Sequence, residues 1–115
     1  MKNTYELAHV GINNEDAAAA AELSRLLCFM FNLEGRSGEK SEFAGSAFEC
    51  VRSQYLGTHG HVGMATDDLG SAVDELAEKG FTFRDETAAY REDGRLKNIY
   101  LDGEFGGFAI HVMQK

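Results

Sequence analysis

The chain has 115 residues, 43% of them apolar and 26% charged, with a formal net charge of −8, which suits one globular domain spanning 1–115. No Lys/Arg cluster breaks the acidity, which argues against a nucleic-acid surface, and no apolar run approaches the ~18 residues of a membrane span. The N-terminus MKNTYELAHV lacks a secretory apolar stretch and the two cysteines, Cys28 and Cys50, lack CxxC spacing, so a cytoplasmic protein with reduced, buried thiols is expected.

Residues 6–13, ELAHVGIN, alternate as a strand does. Val10 and Ile12 point to one face; His9 and Gly11 point to the other. NED follows, with Asn14 as the expected N-cap and Glu15 and Asp16 placed to favour the dipole of a helix from about Glu15 to about Phe31. GSAFECV at 45–51 is the next clear strand, in which Phe48 and Cys50 oppose Ala47, Glu49 and Val51. SQYLGTHG is the only candidate junction. In HGHVGMAT, Val62 and Met64 oppose His61 and Gly63, and Thr66 is the expected cap of a helix over 67–79. Leu69, Ala72, Val73, Leu76 and Ala77 form its apolar stripe, and Gly80 is its stop. Asp93-Gly94 in REDGRL marks a hairpin turn. GEFGG at 103–107 lacks the spacing of a phosphate loop and reads as a turn. In the last strand Phe108, Ile110 and Val112 oppose Ala109, His111 and Met113.

His-Val-Gly therefore occurs twice, each time just before a helix start, and GSAFECV aligns with GFAIHVM. Gly45 pairs with Gly107, Ala47 with Ala109, Phe48 with Ile110 and Glu49 with His111. Each half reads strand, helix, then about three strands, with module one over about 1–55 and module two over about 56–115. The larger apolar residues suit the helix-covered face of the sheet. His9, Glu49, His61 and His111 lie on the opposite face, at two pairs of equivalent positions, and converge if the halves pack about a pseudo-two-fold axis.

This pattern resembles the vicinal oxygen chelate superfamily, which includes glyoxalase I, extradiol dioxygenases and bleomycin/fosfomycin resistance proteins. The resemblance covers essentially the whole chain. It implies an α+β fold of two βαβββ modules forming a curved open sheet around a metal cleft, with ligands on the first and last strand of each module. AHVGIN then supplies His9, AFECV Glu49, GHVGMA His61 and AIHVM His111. More narrowly, YLGTHGHVGMAT and GGFAIHVMQK look like the module associated with some bacterial 2-keto-3-deoxy-phosphogluconate/4-hydroxy-2-oxoglutarate aldolases. The chain departs from glyoxalase I at His111, where that enzyme has a glutamate. The modules of this superfamily often pair across a dimer, so a homodimer is expected.

Three imidazoles and one carboxylate suit a divalent ion such as Zn, Ni, Fe or Mn. The expected function is a glyoxalase-like, metal-dependent enzyme of lyase or isomerase type, chelating two neighbouring oxygens of a small anionic 2-oxo or 2-hydroxy acid. Glu49 is the one clear candidate for the base, with His59 a distant second. Arg52, Tyr55, Arg91 and Tyr100 are weaker candidates for anion contacts at the cleft mouth. The alternative is a non-catalytic ligand-binding or accessory module linked to sugar-acid aldolase metabolism.

Overall fold

The computed structural model describes residues 2–115. The chain runs β1 (Tyr5–Asn13), α1 (Ala17–Phe31), β2 (Gly35–Ser37), β3 (Ser41–Ala44), β4 (Phe48–Val51), β5 (Gly60–Thr66), α2 (Leu69–Glu78), β6 (Phe83–Tyr90), β7 (Leu96–Leu101) and β8 (Phe108–Gln114). All eight strands join one open mixed sheet in the order β2-β3-β4-β1-β5-β8-β7-β6. Exchanging the halves maps that order onto itself. β1 runs parallel to β4 as β5 does to β8, and the two halves meet where β1 and β5 pair antiparallel. The fold is thus α+β and glyoxalase-like, with a βαβββ unit on each side of the β1–β5 seam.

Both helices begin later than the sequence suggests. Asp16, not Asn14, caps α1: its backbone is extended and its carboxylate accepts from the Ala19 amide at 2.8 Å. Asn14 instead donates to the carbonyls of Ile12 and Val51 and ties β1 to β4. Asp68, not Thr66, caps α2, accepting from Ser71 at 3.1 Å. Thr66 remains the last residue of β5, buried, with its hydroxyl donating to the Thr4 carbonyl. An aspartate one turn ahead of a free amide wins the cap because its charge also complements the helix dipole. Gly80 does end α2, at φ +98°, with its amide on the Ala77 carbonyl.

α1 packs on β2, β3 and β4, and α2 on β7 and β8. Ala20 and Leu27 of α1 meet Ala44 and Cys50 in one buried cluster, bordered by Leu23, Cys28, Leu33 and Phe48. In the second half Leu69, Ala72, Ile99, Leu101 and Val112 are buried. The expected stripe of α2 is therefore cut short: Ala77 is exposed and Glu75 takes a buried place, accepting from the Asn3 amide, the Asn3 side chain and Tyr5. Because each helix covers its outer strands, the middle of that face is only half covered. Val10, Ile12, Val62 and Met64 are partly buried, and Leu7 is 60% exposed. The hairpin joining β6 and β7 turns at Gly94 (φ +86°). The repeat-equivalent Gly45 and Gly107 both hold left-handed backbone, at φ +62° and +84°, a conformation only glycine adopts without strain.

Candidate metal centre

Strand register builds the site in two adjacent rows across the uncovered face of the sheet. In one row Glu49 of β4 stands beside Gly11 of β1, which stands opposite His61 of β5. In the other, His9 of β1 stands opposite Gly63 of β5, which stands beside His111 of β8. Each copy of His-Val-Gly thus lays its histidine over the glycine of the other copy, and this reciprocity is why the tripeptide is written twice.

All four expected residues come together. His9 Nε2 lies 3.2 Å from His61 Nε2 and 3.1 Å from His111 Nε2. Glu49 Oε1 is 3.2 Å from His61 Nε2 and 3.7 Å from His9 Nε2. The imidazole nitrogens of His9, His61 and His111 lie within 4.8 Å of one another, so these three residues can hold a metal ion. His61 and His111 are buried, at 3% and 6% exposure; His9 and Glu49 are partly buried. The cluster lines a cavity of about 420 Å³ together with Glu39, Lys40, Ser41, Val51, Arg52, Ser53, Tyr55 and Tyr100.

The chemistry of this donor set fits a divalent ion. The amide oxygen of Asn98 accepts from His111 Nδ1, which leaves the Nε2 lone pair facing the other rings. Burial, then the neighbouring rings of His9 and His61, pull the His111 pKa down to about 3. Burial and His61 lower that of His9 as well. Both rings are therefore held neutral, the form that ligates. Hydrogen bonds from His61 and Ser41 keep the Glu49 carboxyl ionised, with a pKa of about 2, against the opposing effect of burial. Ser41 Oγ donates to Glu49 Oε2 at 2.7 Å.

Ser41 and Asn98 were not among the residues singled out from the sequence, yet they hold Glu49 and His111 in place from equivalent positions. Phe43 pairs with Glu49 and Tyr100 with His111, and Ser41 and Asn98 sit two residues before those partners. The signal lies in KSEF at 40–43 and KNIY at 97–100, a third short match between the halves. Tyr100 is buried and stacks on the His111 ring, with centroids 4.7 Å apart and an 18° tilt. Burial raises its phenol pKa, so it stands as a neutral wall.

The remaining candidates divide. Arg52 and Tyr55 line the cavity, but the Arg52 guanidinium is already held by Glu42 at 2.6 Å and by the Glu39 carbonyl at 2.9 Å. Arg91 lies away from the cleft, against the Lys115 carbonyl. His59 is exposed beside Phe108 and outside the cavity, so a role as base has no geometric basis.

The fold is glyoxalase-like, with paired βαβββ units and a cluster of three histidines and a glutamate at their seam. Solved structures share the fold, among them the following two. One is a hypothetical protein from Bacillus halodurans C-125, with TM-score 0.67, 12% identity, 97% of this chain covered and 95% of that one. The other is methylmalonyl-CoA epimerase from Mycobacterium tuberculosis, with TM-score 0.57, 15% identity, 94% of this chain covered and 86% of that one. No family model and no curated protein matches. Nothing among these matches supports the narrower likeness to the aldolase-associated module. No helix among the described residues is long and apolar enough to cross a membrane.

Proposed function

We propose that the protein is a metal-dependent enzyme of glyoxalase type acting on a small anionic 2-oxo or 2-hydroxy acid. The carrying observation is the convergence of three imidazoles and one carboxylate in a cavity of about 420 Å³. His9, His61, His111 and Glu49 are the proposed ligands. A divalent ion bound there (Zn, Ni, Fe or Mn) supplies Lewis acidity toward two adjacent oxygens of the acid. With one carboxylate among four ligands, a dication leaves the site at +1, which favours an anion. Val51, Tyr55 and Tyr100 give the cavity an apolar part of its wall.

Glu49 is the proposed proton acceptor. A carboxylate held near pKa 2 is a weak base at neutral pH, so this role requires Glu49 to release the hydrogen bond from His61. The fold shared with an epimerase favours isomerase over lyase chemistry. The low basicity of Glu49 favours the rival reading, a non-catalytic binding or accessory module that keeps the same cleft. Leu26, Phe29 and Met30, at i, i+3 and i+4 on α1, are 51%, 83% and 50% exposed. That stripe supports pairing with a second copy, which light scattering checks by a mass twice the chain's 12.6 kDa.

The test of function is metal analysis of protein purified without chelators or a histidine tag, followed by calorimetry with pyruvate and lactate. Near-stoichiometric metal and metal-dependent binding of the acid are expected. Protein that neither retains nor takes up a divalent ion defeats the proposal and leaves the accessory module.

A further inference from the structure

We propose that Gly11 and Gly63 are positioning residues of this centre: each leaves empty the volume into which the other module's histidine folds. The proposal rests on the metal reading of the site and goes beyond it, because it assigns the chemistry of the centre partly to residues that ligate nothing.

The two rows set the geometry. Gly63 stands between His9 and His111, and Gly11 between Glu49 and His61. Side chains that flank a position on one face of a sheet stand roughly parallel and two strand spacings, about 10 Å, apart. Here they lean over the intervening glycine instead, which brings His9 and His111 to 3.1 Å and His61 and Glu49 to 3.2 Å. A Cβ on Gly63 would lie 2.6 Å from His9 Cε1 and 2.8 Å from His111 Nε2. A Cβ on Gly11 would lie 2.0 Å from His61 Cε1 and 2.3 Å from His61 Nδ1.

Neither glycine is needed for its backbone. Gly11 and Gly63 are absent from the residues with positive φ, so alanine fits their conformation. At most other strand positions, glycine to alanine is neutral or favourable. The nearest atoms a Cβ would meet at either position belong to imidazole rings. The group that must move is therefore the end of a side chain, and the strands can stay paired while the centre is pushed apart. The two positions differ in severity. Gly63 holds space for two rings, so alanine there displaces two donors. Gly11 holds space for His61 alone, but that ring is 3% exposed, with its Nδ1 buried and unpartnered; it has little room to swing, and Gly11→Ala is the variant more prone to destabilise the fold.

The experiment is zinc titration by calorimetry, with thermal unfolding in the absence of metal, on wild type, Gly11→Ala, Gly63→Ala, His61→Ala and Gly11→Ala/His61→Ala. Gly70→Ala, on the exposed side of α2, is the control and should bind zinc as wild type does. Both site variants should bind zinc at least about tenfold more weakly, the range seen when groups that orient ligands are removed, with the larger loss at Gly63. Zinc affinity of Gly63→Ala within twofold of wild type overturns the proposal. If Gly11→Ala unfolds or melts early, the double variant should melt no lower than His61→Ala, because the ring it crowds is gone. An equal drop in both backgrounds means the new methyl meets something other than His61, and overturns the proposal too. Should wild type bind no zinc, the titration is repeated with nickel and manganese; if it binds no divalent ion the proposed function fails, while the metal-free unfolding cycle still decides the claim about crowding.

Discussion

His111 is the residue at which this centre departs from a two-histidine, two-carboxylate arrangement, and its surroundings fix what a substitution does. His111→Ala removes one nitrogen donor and leaves Asn98 without its partner, so metal affinity should fall by tenfold or more. His111→Glu restores a carboxylate and should keep metal binding, but lowers the site charge from +1 to neutral. Pyruvate should then bind the metal-loaded variant more weakly than the loaded wild type. Calorimetry on the three forms separates these effects, and equal metal affinity in wild type and His111→Ala would remove His111 from the ligand set. The same ring shapes acid stability of the metal-free protein. Its pKa is about 3 when folded, against the ordinary 6.5. Between those values the unfolded chain binds a proton there that the folded chain does not, so stability is present in full above pH 6.5 and falls as pH drops toward 3. Glu49 adds a loss of the same sign at lower pH, between the ordinary carboxylate value of 4.5 and about 2. Urea midpoints measured from pH 7 to pH 4 should decline, and His111→Gln should flatten the upper part of that decline.

At the scale of the element, two aspartates decide where the helices begin. Asp16→Ala and Asp68→Ala should each destabilise the protein by about 1 kcal/mol, since each frees an amide of the first helical turn. Chemical denaturation reads that difference directly. If Asn14 were the cap of α1, Asp16→Ala would be silent and the α1 amides near Ala19 would keep their hydrogen-exchange protection. The strands carry a second lesson. Period-two alternation separates the face that carries His9, Glu49, His61 and His111 from the apolar face in β1, β4, β5 and β8, because side-chain direction in a strand follows from the backbone alone. It could not say how well the apolar face is covered, since that depends on where the helices land.

Across the whole molecule the centre bridges the two modules. Its four residues come from β1, β4, β5 and β8, and the rows run through the β1–β5 seam. An ion bound there joins both halves in the folded state and has no preformed site in the unfolded chain. Zinc at a hundredfold excess over its dissociation constant should therefore stabilise the protein by about 2.7 kcal/mol, and a chelator should reverse the shift. Scanning calorimetry with and without zinc, nickel or manganese is the measurement, and a midpoint indifferent to all of them would show that the four residues do not act as one metal site.

The sequence by itself determined the repeat, the strand faces and the four residues that converge. Those follow from local rules: side-chain alternation, helix caps and the recurrence of His-Val-Gly and of GSAFECV in GFAIHVM. The structure decided what depends on neighbours far apart in the chain. It placed Ser41 behind Glu49, Asn98 behind His111 and Tyr100 against the His111 ring, and it set each histidine over the opposite module's glycine. The register of β1 against β5 joins residues about fifty positions apart, and no local propensity fixes it. Only the packing of both modules into one sheet does so, and a slip of one residue in either strand would turn its histidine to the other face.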